Sequence, residues 1–100
     1  MERRLVIYVD IDGTICNTKG SDYENSTPIP KNIEKINKLF DKGHEIIYWT
    51  ARGQRSRNDY TLLTREQLSK WGCKYSNLIM NHKPDYDLLI CDKTRRIEEI

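Results

Sequence analysis

The 100-residue chain has little cysteine, no long apolar run and no dominant sign of charge. Cys16, Cys73 and Cys91 are odd in number, widely spaced and form no CxxC pair. Neither a disulfide framework nor a zinc site is indicated, so the thiols are read as reduced. The longest apolar runs, Leu5 to Val9 and Leu88 to Cys91, fall far short of the ~18 residues a membrane span requires. The short stretch after Met1-Glu2-Arg3-Arg4 is too brief for a signal peptide and has no small-residue cleavage site, so a cytoplasmic location is expected. Seventeen basic residues against fifteen acidic leave a net charge of +2. There is thus no basic excess of the kind that marks a nucleic-acid or membrane-surface partner. Hydrophobic residues make up 37%, enough for one lean core and a single domain over residues 1–100. No repeat, low-complexity tract or linker is present.

The pattern that remains is that of an α/β chain. Leu5-Val6-Ile7-Tyr8-Val9 is a β-branched and aromatic run of the sort buried on both faces of a parallel sheet, and it stops at Asp10. Cys16 to Pro30 carries loop chemistry, and a structureless stretch of that length in a small domain points to a functional loop. Lys19, Asp22 and Tyr23 could form a small flap within it. Pro30 opens a helix whose apolar face holds Ile33, Ile36, Leu39 and Phe40, and Gly43 closes it. A second apolar run, Glu45 to Trp49, ends at Thr50. A polar segment with Arg52, Arg55 and Arg57 then leads to a helix over Tyr60 to Trp71, capped by Asn58 or Asp59 and closed by Gly72. Two short strands, Asn77 to Met80 and Asp87 to Cys91, flank a turn with His82-Lys83-Pro84, and a last helix carries Ile97 and Ile100. Strands alternating with helices predict an open, mostly parallel, Rossmann-like sheet with right-handed crossovers. Trp49 and Trp71 are expected in the core.

Three of the predicted strands end in Asp10, Thr50 and Asp92, and the C-terminal strand ends of such a sheet form its ligand crevice. Asp10 and Asp12 project to the same side if the extended chain continues. Side-by-side carboxylates call for a cation between them or for different tasks. Both explanations suit transfer of a phosphoryl group from a monoester. One carboxylate attacks phosphorus, and the other protonates the leaving alkoxide and then deprotonates water. Mg2+ on oxygen ligands would neutralise the phosphate dianion. Lys83 adds fixed positive charge, and Thr50 with the N–H groups of the Gly13-Thr14 turn can hold the equatorial oxygens.

Asp10-Ile11-Asp12-Gly13-Thr14 after an apolar strand resembles the first motif of the haloacid dehalogenase superfamily of phosphatases. Thr50-Ala51-Arg52, Lys83 and Asp92 resemble its second, third and fourth motifs, in register over nearly the whole chain. The resemblance implies that Asp10 is the nucleophile and a Mg2+ ligand. It implies that Asp12 is the general acid/base and binds the metal through its carbonyl, that Thr50 and Lys83 bind the phosphoryl group, and that Asp92 anchors Mg2+. An acid two residues after the nucleophile is similar to the family's phosphatases and phosphomutases rather than its ATPases. One departure is the fourth motif: Cys91 precedes Asp92 and no acid lies in Lys93 to Ile97, so the usual second acid is missing.

Neither inter-motif gap has room for a cap domain. The site is therefore expected to be open, covered by a second subunit of a homo-oligomer, or suited to a phosphate on a larger molecule. The compact pattern, with Lys83-Pro84 before Tyr86-Asp87, resembles small cap-less phosphatases associated with capsule or surface-polysaccharide synthesis. A phosphorylated sugar, polyol or glycan precursor is the implied partner, with a polynucleotide end or nucleotide as the alternative. Arg52 and Arg55 lie near the proposed phosphate and read either as holders of a second anionic group or as a solvated loop. Asp92 reads alternatively as an N-cap. Two readings of other kinds remain: a phospho-acceptor signalling module, which lacks a spare Asp after an internal strand here, and a family member that binds phosphate without turnover.

Overall fold

The computed structural model describes residues 3–53, 58–80 and 88–90. In chain order the elements are β1 (Val6–Asp10), β2 (Cys16–Asn17), β3 (Thr27–Pro28), α1 (Pro30–Asp41), β4 (Glu45–Thr50), α2 (Thr61–Lys70), β5 (Asn77–Met80) and β6 (Leu88–Ile90), with a 3-10 turn at Tyr23–Asn25. Four of the strands form one sheet in the order β5-β4-β1-β6, every pair parallel. The fold is the α/β, parallel-sheet architecture expected from the alternation of apolar runs and amphipathic segments. Among the described residues no cap layer is inserted between the strands.

Chain order explains which face each helix covers. The connections from β1 to β4 and from β4 to β5 step across the sheet in the same direction, and right-handed crossovers therefore put α1 and α2 on one side. Ile33, Ile36 and Leu68 accordingly pack with Ile7, Val9, Ile46, Tyr48, Leu78 and Ile90. The alternate residues of the same strands, Tyr8 and Ile47 with Val6, Trp49 and Ile79, form the apolar cluster of the other face. Trp49 and Trp71 both pack against core clusters. The expected last helix, with Ile97 and Ile100, lies outside the described residues.

β6 returns to the opposite side of β1 from β4. The order of connection thus reverses between β1 and β6, and in open α/β sheets ligands bind at such a point, beyond the carboxyl ends of the strands. Asp10 is the last residue of β1 and so stands at that point.

Several boundaries differ from the sequence reading. The first strand runs one residue later, because the ladder with β4 continues through the pair Asp10–Trp49. The long polar loop is not structureless: β2 and β3 pair antiparallel, Cys16 with Pro28 and Asn17 with Thr27. Its backbone polar groups find each other once Cys16 and the adjoining Ile15 are drawn into the core. α2 begins at Thr61, whose N–H donates to Asp59 Oδ1 at 2.9 Å, so Asp59 serves the helix start as expected although Tyr60 occupies the cap position. No helix among the described residues is long and apolar enough to cross a membrane.

Candidate active site

The residues after β1 turn sharply. Thr14 and Ile15 donate their N–H groups back to Ile11 O at 3.2 and 3.0 Å, and Gly13 N–H donates to Cys16 O at 2.9 Å. Gly13 has φ 87°, a left-handed conformation that a residue with a Cβ adopts at a cost. Asp10 Oδ1 accepts the N–H of Ile11 at 2.9 Å. Thr14 is 1% exposed, and its carbonyl accepts the Asn32 side-chain amide at 2.9 Å, which ties the turn to the first turn of α1.

This geometry corrects two expectations. The N–H groups of Gly13 and Thr14 close the turn instead of standing open for phosphate oxygens, since a five-residue reversal needs them for itself. Thr14 is buried, at 1% exposure. Gly13 is exposed and lines a cleft of about 490 Å³ together with Asn17, Thr18, Lys19, Asp22, Asn25 and Thr27 from the β2–β3 hairpin. Lys19 and Asp22 of the expected flap therefore do face a cavity beside the Asp-rich turn.

Thr50 ends β4, the strand paired with β1, one position beyond the Asp10–Trp49 pair. It is buried, and its Oγ1 accepts the N–H of Arg52 at 3.1 Å. The side chain of Arg52 has no solvent exposure and meets Asp12, which is 28% exposed, in a two-pronged contact: Nε to Oδ2 at 3.0 Å and Nη2 to Oδ1 at 2.8 Å. Thr18 Oγ1 donates to the same Oδ1 at 2.7 Å. The reading of Arg52 as a holder of a substrate anion, or as a solvated loop residue, is corrected accordingly. A buried guanidinium requires a carboxylate partner, and Asp12 is that partner.

The ionisation of Asp12 follows from its contacts. Burial alone would push its carboxyl up, but hydrogen bonds from Arg52 and Thr18 and the charge of Arg52 outweigh burial and hold it below the ordinary carboxylate value. Cys16, whose Sγ lies 3.5 Å from Asp12 Oδ1, is pushed up to about 11 by burial first and then by the Asp12 charge. It stays a thiol.

Some contributors carried no signal in the sequence. Thr64 and Gln67, on the buried side of α2, accept hydrogen bonds from Arg52 Nη1, and Gln67 Nε2 donates to Tyr23 O at 2.6 Å. The Tyr23 ring sits 4.9 Å from the Arg52 guanidinium carbon and packs edge-on against Tyr60. Two polar residues three apart on a helix face that packs inward were the available clue, and nothing local says what they meet. Gly53, at φ 85°, is needed for a second reason: a Cβ there would overlap the carbonyl oxygen of Asn58.

Asp10 and the Asp12 carbonyl are hard oxygen donors at one strand end, the ligand chemistry that suits Mg2+, which keeps several waters and takes one or two carboxylates. The Asp12 carboxylate is turned toward Arg52 and Thr18, which leaves its carbonyl as the group to offer a metal ion. Among the described residues no three His, Cys, Asp or Glu side chains gather as a metal cluster. Lys83, Arg55 and Asp92 lie outside the described residues; β6 ends at Ile90, two positions before Asp92 in the sequence.

A solved structure of a structural-genomics target from Vibrio cholerae is similar, at 26% identity and TM-score 0.70, over 80% of this chain and 72% of that one. A search of curated proteins finds no match. The model of the haloacid dehalogenase-like hydrolases matches residues 7–69. With the DxDGT turn at the end of the central strand and the second motif on its neighbour, the chain belongs to the haloacid dehalogenase-like hydrolases.

Proposed function

We propose that the protein is a Mg2+-dependent phosphomonoesterase that works through an aspartyl-phosphate on Asp10, with a phosphorylated sugar or polyol of surface-glycan synthesis as its substrate class. One observation carries this reading. Asp10 ends the central strand at the switch point of the sheet, beside Thr50, and a second carboxylate two residues later is held in a single orientation.

Asp10 attacks phosphorus and the ester P–O bond breaks, its electron pair going to the leaving oxygen, which takes a proton from Asp12. Water then attacks the aspartyl-phosphate and gives its proton to Asp12, and the bond to Asp10 breaks to restore the carboxylate. Resting Asp12 is held ionised, the form that accepts the water proton. An approaching phosphate dianion raises its proton affinity, as a like charge does, and so favours the acid form needed first. Thr50 and Lys83 bind the phosphoryl oxygens. Asp10, the Asp12 carbonyl and Asp92 would hold Mg2+, which supplies charge neutralisation between carboxylate and phosphate. The hairpin side of the cleft offers hydroxyl and amide groups from Thr18, Asn17, Asn25 and Thr27, donors and acceptors that suit a polyhydroxylated leaving group.

The test is inorganic phosphate release from a panel of sugar, polyol, nucleotide and oligonucleotide-end phosphates, with and without Mg2+, using Asp10→Asn as the blank. Selective Mg2+-dependent release from sugar or polyol esters is expected. Release that persists in folded Asp10→Asn would overturn the nucleophile, and preference for oligonucleotide ends would overturn the substrate class.

A further inference from the structure

Building on the phosphatase reading above, we propose that Arg52 is a positioning residue for proton transfer: it fixes the Asp12 carboxylate so that Oδ2 alone exchanges the proton with the ester oxygen and with water. The hydrogen-bond count at the two oxygens makes the case. Oδ1 receives Arg52 Nη2 at 2.8 Å, Thr18 Oγ1 at 2.7 Å and the Cys16 thiol at 3.5 Å. A carboxylate oxygen offers about two lone-pair sites, so Oδ1 is saturated. Among the described residues Oδ2 receives only Arg52 Nε, at 3.0 Å, which leaves it one site for a proton. Asp12 is also the member of the pair that retains solvent exposure, 28% of its side chain against 0% for Arg52, so of the two it is the carboxylate and not the guanidinium that a substrate can reach.

The arginine is held as firmly as the group it holds. Nη1 donates to Thr64 Oγ1 at 3.2 Å and to Gln67 Oε1, Nη2 lies 3.5 Å from Ser26 Oγ, and the Tyr23 ring covers the guanidinium. These partners come from α2 and from the hairpin, while Asp12 comes from the turn after β1. One side chain therefore sets the angle of the carboxylate from elements distant in sequence. A lysine keeps the charge at this place but not the fork, because a point charge cannot engage both oxygens in a fixed plane.

The experiment compares Arg52→Lys with the unaltered protein on two Mg2+-supported substrates: glycerol phosphate, whose alkoxide must be protonated to leave, and p-nitrophenyl phosphate, whose phenolate leaves without a proton. kcat/KM covers the step in which the ester bond breaks, and general acid catalysis contributes about 100-fold or more to it. The expected result is a fall of that order in kcat/KM for glycerol phosphate and a much smaller one for p-nitrophenyl phosphate, with KM moving less than kcat. Asp12→Asn/Arg52→Lys should be no slower on glycerol phosphate than Asp12→Asn, as expected of residues that act as a unit. A Gln67→Met variant, which loosens the arginine without changing its charge, should show the same leaving-group bias in weaker form. Equal losses on both substrates, or losses that multiply in the double variant, would mean that Arg52 is only a structural pillar and overturn the inference while leaving the phosphatase reading intact. An unaltered protein silent on both esters would overturn that reading, and the inference with it.

Discussion

Two ion pairs of nearly the same length lie at opposite extremes of environment. Arg52 Nη2 and Asp12 Oδ1 are 2.8 Å apart, with side-chain exposures of 0% and 28%; Lys74 Nζ and Asp41 Oδ1 are 3.0 Å apart, with exposures of 51% and 56%. Distance alone would rank them together. The surroundings separate them, because the attraction between unit charges scales inversely with the effective dielectric, and water around Lys74 and Asp41 screens most of it. The buried pair also has two prongs and further hydrogen bonds on both members, so neither charge is left unsatisfied. It links the turn after β1, the hairpin and α2, whereas the exposed pair merely decorates the surface near the end of α1.

Breaking the buried side of the comparison should have the largest effect. Arg52→Met removes the partner of Asp12 and leaves Gln67 and Thr64 without a donor, and the loss should be on the order of 3 kcal/mol. Urea unfolding would read it as a lower midpoint at unchanged m. A loss below about 1 kcal/mol would mean that water satisfies Asp12 once the arginine is gone and that the pair adds little to stability.

A second experiment sharpens the comparison through pH. The folded-state carboxyl of Asp12 titrates below its ordinary value of 3.8. Its contribution to stability is therefore complete above that ordinary value and is lost as pH falls through the folded-state value. The difference in melting temperature between the unaltered protein and Asp12→Asn should be constant near neutrality and shrink below about pH 4. A difference that grows on acidification would contradict the sign of the shift.

The smallest effect belongs to the exposed pair. Lys74→Ala should change stability by less than about 0.5 kcal/mol, and added salt should shrink that figure further. A loss as large as that of Arg52→Met would mean that burial does not set the strength of these pairs.

Much of the fold was legible because its signals are local. The run Val6 to Val9, the Pro30 start of α1 and the continuous strand Glu45–Thr50 express preferences that act within a few residues. The placement of Asp10 and Thr50 at neighbouring strand ends follows from the same runs combined with the handedness of crossovers. The hairpin at Cys16–Asn17 and Thr27–Pro28 was not legible. Its polar composition reads as loop, and the two paired residues on each side form a ladder only because Ile15 and Cys16 are pulled into the core.

Arg52 marks the same boundary. Its position directly after Thr50 and Ala51 was visible, but its direction was not, since both a solvated loop and an anion holder fit an arginine in a polar stretch. The answer depends on Asp12, forty positions earlier, and on Gln67, fifteen later. No pattern that decays over a helical turn can carry that information.

By itself, then, the sequence determined the four strands of the parallel sheet, the two helices between them and the strand end that bears Asp10, because periodicity, capping and chain handedness act along the chain. Only the tertiary structure decided that the Gly13 and Thr14 amides close the turn, that Arg52 is buried against Asp12, and that the two Asp12 oxygens are unequally partnered among the described residues. These depend on which distant groups share a space too dry to leave a charge or a donor unpartnered.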